Sequence, residues 1–471
     1  MESHPVRLVL RDDLERSRLT VFFRLLLAIP HFVWFFLWTV IALLVALANW
    51  VAVLATGTSP AGLHRHLSGY IRYSVHLGAY LTLAANPYPP FNGPAGGYPV
   101  DVEIDPPVAQ RRWTVLVRLF LALPALLLST VLGSSTSTST TTSTNVGLSF
   151  SGGLAATAAM LGWFASLVTG RMPLGLRNAA AWGVGYQAQT MAYALCLTDR
   201  YPYAGPEPGA PCSPFVAPAA LGSQAPVAAP KPATVQLVLA DDLRRSRLTV
   251  FFRILLAVPH FVWLALWSIA ALLAWLVAWV AALATGRVPG SLHRFLSAFV
   301  RYGVHVQAFV LLVGSPFPGF TGAAGSYPVD VEIDPPVAQA RWRVLLRGLL
   351  ALPALLLAGA TFNVATTSAV LMWFAGLATG RAPQGLRNAG AYGVRYSAET
   401  YAYLLLLTER YPYAGPEAGF AGVAVDEVGA GEPAAASSVP ADDVTAAPGD
   451  APAAPDDSPG GPSGPTEPWS V

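Results

Sequence analysis

RLTVFFRLLLAIPHFVW at positions 18–34 comes back as RLTVFFRILLAVPHFVW at 247–263, an offset of 229 residues. YPVDVEIDPPVAQ, at 98–110 and 327–339, repeats at the same offset. A chain made by duplication folds as repeated units, so this pattern limits the fold more than any local signal. Each half is itself double. Arg253, Pro259, Thr285, Gly286, Arg301 and Tyr302 recur 94 residues later as Arg347, Pro353, Thr379, Gly380, Arg395 and Tyr396. In the first half the same step carries Arg24 and Pro30 to Arg118 and Pro124, and the offset then grows to 113, from Thr56 and Gly57 to Thr169 and Gly170. The nineteen added residues, placed at 133–151, contain the tract SSTSTSTTTST.

Four membrane units follow, at 6–91, 98–203, 235–320 and 327–413. A linker at 205–233 with eight prolines joins the halves. The segment 417–471 is rich in Ala, Pro and acidic residues and is expected to be disordered, since it cannot bury enough apolar surface to fold. Of the 471 residues, 54% are hydrophobic and 11% charged, with a mean hydropathy of +0.49. A soluble domain carries about a quarter charged residues, so the composition is that of a lipid-embedded protein. The net charge of +2 gives no footprint for nucleic acid. Cys196 and Cys212 form no metal or redox pattern. The acidic opening MESHPVRLVLRDDLERSR makes a poor signal peptide, so the first apolar run is expected to be retained as an anchor.

Each unit opens with a short alternating segment (VRLVL, VDVEID, VQLVLA, VDVEID) that predicts a strand pairing with its counterparts outside the bilayer. Uncharged stretches follow, from Leu25 to His64, Leu119 to Gly170, Ile254 to Gly286 and Gly348 to Gly380. A helix needs about 20 residues to cross a hydrocarbon core of about 30 Å, so these stretches are too long for one span. The Ser/Thr tract predicts a hairpin, because a polar insertion is harmless only at an exposed turn. The corresponding turns fall near Phe35–Thr39, Leu266–Ala270 and Gly359–Ser368. Arginines flank both ends of every stretch and none lies near a tip, which under the positive-inside rule puts strands, basic segments, linker and tail in the cytoplasm. The expected fold is an all-α polytopic membrane protein of the inner (plasma) membrane: four tandem helical hairpins, about eight transmembrane helices, with both termini cytoplasmic. The segment 63–85 sets His64, Ser68, Arg72 and His76 on one helical face, an amphipathic helix expected in the interface plane. A third span lining a cavity is the alternative.

The order strand, SRLTxFFRLLLAxPH, apolar stretch, TGRxPxGL, amphipathic helix and LTDRYPY resembles the bacterial DUF4389 domain, a membrane family of unknown function. The likeness rests on RLTVFFRLLLAIPH (18–31), RLTVFFRILLAVPH (247–260), TGRMPLGL (169–176), TGRAPQGL (379–386), LTDRYPY (197–203) and LTERYPY (407–413). The first unit departs with TGTSPAGL at 56–63, and the second and fourth replace Pro-His by Pro124-Ala125 and Pro353-Ala354. Those departures argue against a repeated catalytic role for His31 or His260. The resemblance implies an integral membrane protein and no activity.

Arg24, Arg118, Arg253 and Arg347 sit six residues before a proline in every unit. An ionisable residue at membrane depth is a functional hypothesis by default, and with Arg72, Arg301 and Arg395 these four are candidates for contact with anions or lipid headgroups. The competing reading has each one snorkel to the interface or pair with acids such as Asp12, Asp13 and Glu15. Pro30, Pro124, Pro259 and Pro353 predict kinks. Asp101, Glu103 and Asp105 alternate with Val102 and Ile104, which predicts carboxylates facing water rather than an acid–base pair. Gly376 with Gly380 predicts close helix packing. No P-loop, nucleophile elbow or HExxH pattern occurs.

The expected function is that of a non-enzymatic scaffold or lipid-contacting protein, its partner the bilayer and its anionic lipids. A second copy of the chain is left open as a partner; nucleic acid, metal and cofactor are not expected. A transporter or channel lined by the repeated arginines is the alternative.

Overall fold

The computed structural model describes residues 4–133, 152–205 and 235–416. The expectations for the Ser/Thr tract, for the linker beyond its first residue and for the acidic tail lie outside the described residues.

Each unit begins with a strand: β1 (Val6–Leu10), β2 (Val100–Ile104), β3 (Val235–Leu239) and β4 (Val329–Ile333). β1 pairs antiparallel with β2, centred on Leu8 opposite Val102, and β3 pairs with β4, centred on Leu237 opposite Val331. Units 1 and 2 therefore form one pair, and units 3 and 4 another. Apolar outer helices follow the strands: α1 (Arg18–Leu27) with α2 (Ile29–Thr56), α4 (Arg112–Leu116) with α5 (Arg118–Leu132) and α6 (Leu154–Thr169), α8 (Arg247–Phe251) with α9 (Arg253–Thr285), and α11 (Arg341–Leu350) with α12 (Leu352–Thr379). Each unit then closes with an inner helix of 21 residues: α3 (Ala61–Leu81), α7 (Leu174–Ala194), α10 (Gly290–Val310) and α13 (Gln384–Leu404).

The TGxxP motif is the device that reverses the chain between outer and inner helix. Gly57, Gly170, Gly286 and Gly380 hold φ between 72° and 85°, the left-handed geometry that ends a helix and that only glycine adopts at no steric cost. Pro60, Pro173, Pro289 and Pro383 stand at the N-cap of the next helix. Gly380 is thus a helix terminator, whereas Gly376 packs close to Val250.

In units 1, 3 and 4 the expected hairpin turns are not present. α2 passes unbroken through Phe35–Thr39, α9 through Leu266–Ala270, and α12 through Gly359–Ser368. A continuous helix satisfies every backbone group internally, so nothing in those apolar segments favours a turn. Beyond the junctions at Ala28, Val117, Phe252 and Ala351, the outer helix among the described residues is interrupted in unit 2, where α5 and α6 follow each other end to end. α5 and α6 lie along α7 as α12 lies along α13. A Cβ on Gly183 would meet the Leu132 carbonyl and Ala155, just as one on Gly393 would meet the Thr361 carbonyl and Ala365. Leu132 thus occupies the place of Thr361, and Ala155 that of Ala365. The predicted proline kinks also divide: Pro30 and Pro353 sit in the first turn of their helices, and Pro124 and Pro259 lie inside α5 and α9. α2, α9 and α12 are long and apolar enough to cross a membrane by length and composition.

The polar stripe of the inner helices is covered by protein. His64, Ser68 and His76 are buried, as are their counterparts His293, Ser297 and His305. Each inner helix carries a strand on one face and an outer helix on another; α3 also packs against α7, and α10 against α13. Burying the polar helix and exposing the apolar one inverts the usual soluble arrangement.

Backbone exchange locks the two units of a pair. Arg16 N–H donates to the Gly170 carbonyl at 2.9 Å and Gln110 N–H to the Gly57 carbonyl at 2.8 Å; Arg245 and Gln339 repeat these bonds on Gly380 and Gly286. Four tryptophans bond reciprocally: Trp50 Nε1 donates to the Val115 carbonyl, Trp163 to Val21, Trp279 to Val344 and Trp373 to Val250. Between the pairs, Asn178 Nδ2 donates to Tyr413 Oη and Asn388 Nδ2 to Tyr203 Oη, both at 3.0 Å. The final tyrosine of each RYPY motif thus reaches the LRN segment of the opposite half.

Replacing residues 133–154 by Phe-Asn-Val, the stretch at 362–364, should fuse α5 and α6 into one helix. The thermal midpoint of the purified protein, followed by tryptophan fluorescence, is expected to stay within a few degrees of the parent, because the α7 contacts on both sides of the cut are retained.

Candidate functional site

Helix C-termini leave carbonyls without intrahelical partners, and each inner helix ends on a strained residue. Leu83, Cys196, Leu312 and Leu406 have φ between 58° and 64°, unusual for residues with a Cβ. The four arginines that precede the prolines are aimed at these ends. Arg24 Nη1 donates to the carbonyls of Tyr80 (2.6 Å) and Ala85 (3.1 Å), and Nη2 to Asn86. Arg118 donates to Thr198, the Gln110 side chain and Asp199. Arg253 donates to the carbonyls of Gly314 and Ser315, and Arg347 to those of Tyr403 and Thr408 and to Gln339. Each guanidinium also stacks on an aromatic ring, Tyr80, Tyr193, Phe309 or Tyr403, at 4.3–4.4 Å. All four are at most 3% exposed. They neither snorkel nor, Arg118 apart, pair with an acid: the helix-end dipole and the carbonyls supply the negative charge.

The strained carbonyls are held as well. Arg16 Nη2 reaches Leu83 O at 2.8 Å and Arg245 Nη2 reaches Leu312 O at 3.0 Å, each while paired with a buried aspartate, Asp12 or Asp241, at 2.6 Å. In the even-numbered units Gln110 and Gln339 take that task on Cys196 O and Leu406 O.

A second constellation joins the inner helices to the sheets. His76 Nε2 lies 2.9 Å from Asp101 Oδ1, and Arg72 Nε lies 3.5 Å from the same oxygen. His305, Asp330 and Arg301 repeat the cluster at 3.0 and 3.3 Å. The expectation that these carboxylates face water is corrected for Asp101 and Asp330, which are 7% and 8% exposed, while Glu103 faces solvent. Burial resists ionisation of Asp101, but the hydrogen bonds from His76 and from the N–H groups of Gly96 and Val102 outweigh it and hold the carboxyl below its ordinary value. Asp330 is held down the same way by His305, Gly325 and Val331. The even-numbered units substitute other chemistry: Gln189 bridges Val6 O and Tyr203 N–H, and Glu399 pairs with Arg395 at 2.8 Å while accepting from Tyr413 N–H.

The Arg/His stripe was legible as a helical face, but its aspartate partner was not. One signal was available: VDVEID follows only the two units that carry His76 and His305. His76 Nδ1 and His305 Nδ1 are enclosed and have no hydrogen-bond partner among the described residues. Among the described residues no three His, Cys, Asp or Glu side chains are grouped to hold a metal ion. Arg177 and Arg387 are two further arginines of the inner helices. Both are buried, and the Nε and Nη1 atoms of each have no partner. Between units 2 and 4 lies an apolar cavity of about 650 Å³, lined by Phe164, Val168, Pro173, Leu356, Tyr411 and Tyr413 among others.

Arg24→Met should lower the thermal midpoint, the orphaned carbonyls costing on the order of 1–3 kcal/mol. Arg24→Lys should restore part of the loss, since a point charge replaces a fork. A carboxyl whose folded value is depressed contributes stability above its ordinary value near 4 and loses it as pH falls through the folded value. Asp101→Asn should therefore destabilise the protein at pH 7 and flatten its stability profile below about pH 4, as measured by thermal unfolding across pH.

The model of a family described as "Domain of unknown function (DUF4389)" matches residues 18–92, 146–204, 247–320 and 341–414. No curated protein and no solved structure matches the chain. The four matches together take in more than half of the sequence, and each includes a capping arginine or the inner helix it caps, or both. The chain belongs to the DUF4389 family, as four tandem copies.

Proposed function

We propose that this protein is a non-catalytic, multi-helix protein of the cell's inner membrane that contacts lipid and serves as a scaffold at the cytoplasmic leaflet, with both termini cytoplasmic. The observation that carries this reading is the inverted polarity of the fold. Leu25 and Leu43 on the outer helices are 71% exposed and Ile254 is 76% exposed, which water would not tolerate over so large a surface. The capping arginines and the His–Asp pairs face inward and are engaged with the protein's own groups, leaving them no evident substrate role.

The exposed arginines Arg18, Arg112, Arg171, Arg247, Arg287, Arg341 and Arg381 lie at the ends of the outer helices and favour anionic headgroups at about 1 kcal/mol per cation. The apolar cavity between units 2 and 4 has the lining of an acyl-chain site rather than of an ion pathway.

The protein is expected to resist extraction by alkaline carbonate, and a Leu43→Glu, Ile254→Glu double variant to be partly released. Proteoliposomes are expected to pass no more chloride, phosphate or protons than empty vesicles. A flux above that level, lost in Arg72→Gln with Arg301→Gln, would replace the scaffold with a transporter.

A further inference from the structure

We infer that the outer helices lie parallel to the bilayer plane within a single leaflet and do not cross it. The inference rests on the lipid-contact reading above and specifies how the contact is made.

Three observations carry it. Exposed apolar side chains run along α1–α2 from Leu19 to Val51, along α8–α9 from Leu248 to Val280, and along α11–α12 from Trp342 to Phe374. Each band is about 48 Å long at 1.5 Å per residue. Standing across a core of about 30 Å it would need a tilt of about 50°, beyond the usual range of up to 40°.

Polar structure accompanies these helices at both ends and at the middle. At one end Arg18 Nη2 donates to the Val168 carbonyl, and the Arg16 backbone is bonded to Gly170. At the other, Gly57 is bonded to Gln110, which precedes the exposed Arg111 and Arg112. Midway along, α3 presents Arg72 and His76 to Asp101 on β2, beside exposed Glu103. If the helices stood upright, this strand pair would lie near the centre of the hydrocarbon, where each charge costs several kcal/mol.

Exposed arginines flank the outer helices at both ends: Arg112 and Arg171, Arg247 and Arg287, Arg341 and Arg381. The positive-inside rule disfavours that for a single span and accepts it for a helix whose two ends share one face. On α3, Arg72 and His76 meet the strand while Tyr70 and Tyr73 meet α2, and on α10 Arg301 and His305 meet the strand while Tyr302 meets α9, so the sheets can stay in water while the outer helices are submerged. One leaflet offers about 15 Å of hydrocarbon, enough for a helix about 10–12 Å across. The occupant of the apolar surface is therefore the acyl chains of one leaflet, with anionic headgroups on the flanking arginines.

The test uses the full chain with Cys196→Ala and Cys212→Ala, reconstituted in vesicles of zwitterionic and anionic phospholipid. Single spin labels are placed through Phe22→Cys, Val33→Cys and Leu44→Cys, three exposed positions spaced so that they share one helix face. Their depth is read from relaxation by oxygen against a water-soluble nickel chelate. A flat helix gives three depths that agree within about 5 Å. A spanning helix puts Val33 at the centre and the other two near opposite interfaces, about 33 Å apart along the axis, and overturns the inference. Maleimide labelling of Ser17→Cys and Thr58→Cys from one side of the vesicle supplies an independent readout. Reaction of both from the same side supports the flat helix, and reaction from opposite sides overturns it. Chelate access to all three spin labels would overturn the lipid-contact reading itself, together with this one.

Discussion

The bond from a buried arginine to the end of an inner helix organises every unit. Arg24 and its three counterparts lie near the start of the outer helix and donate to carbonyls at the C-terminus of the inner one. A guanidinium in an apolar setting is stabilised by acceptors, because leaving it unpaired is costly. Helix ends supply unpaired carbonyls, and the outer helix supplies the cation. The two needs cancel only when the helices run antiparallel with the arginine level with the last turn, so one interaction sets both register and direction. The left-handed Leu83, Cys196, Leu312 and Leu406 can be strained there because side chains from neighbouring segments over-determine their carbonyls.

Pairing of units follows from the strands. An antiparallel pair centred on Leu8 and Val102 relates unit 1 to unit 2 by a local two-fold axis, and the chain on either side obeys it. That is why Gly57 is bonded in the neighbouring unit, and why the four tryptophan bonds come in reciprocal couples. A unit on its own would leave a strand edge and a TG turn unsatisfied, which gives a physical reason for the copies to occur in tandem. The cluster of His76, Arg72 and Asp101 draws its aspartate from the strand that opens the next unit, so it too exists only in the pair.

Much of this was legible in the chain. The repeat offsets of 229 and 94 residues, the stop at each TG, the strands and the apolar stretches all survive into the structure. The nineteen-residue insertion falls in the gap between α5 and α6. What the gap meant was misjudged: a place where residues can be added is a surface, and a surface is not always a turn. Burial of the polar stripe was hidden for a related reason. A stripe of His, Ser and Arg reads as a solvated face when the neighbours are unknown, yet Asp101 and the adjacent inner helix cover it.

Local chemistry settles where helices begin and end, because glycine in the left-handed region, proline at a first turn and a run without charge act over a few residues. The sequence alone therefore determined four units, their elements and a chain suited to lipid. Tertiary structure decided which face each element buries, since Arg24 meets Tyr80 only when outer and inner helix pack antiparallel, and His76 meets Asp101 on a strand that pairs with one 94 residues away. It also decided that the apolar helices are continuous. Arginines at both ends of an outer helix favour, by the positive-inside rule, two ends that share a face. Only the packed arrangement of sheet, inner helix and outer helix provides a way to meet that preference without a hairpin.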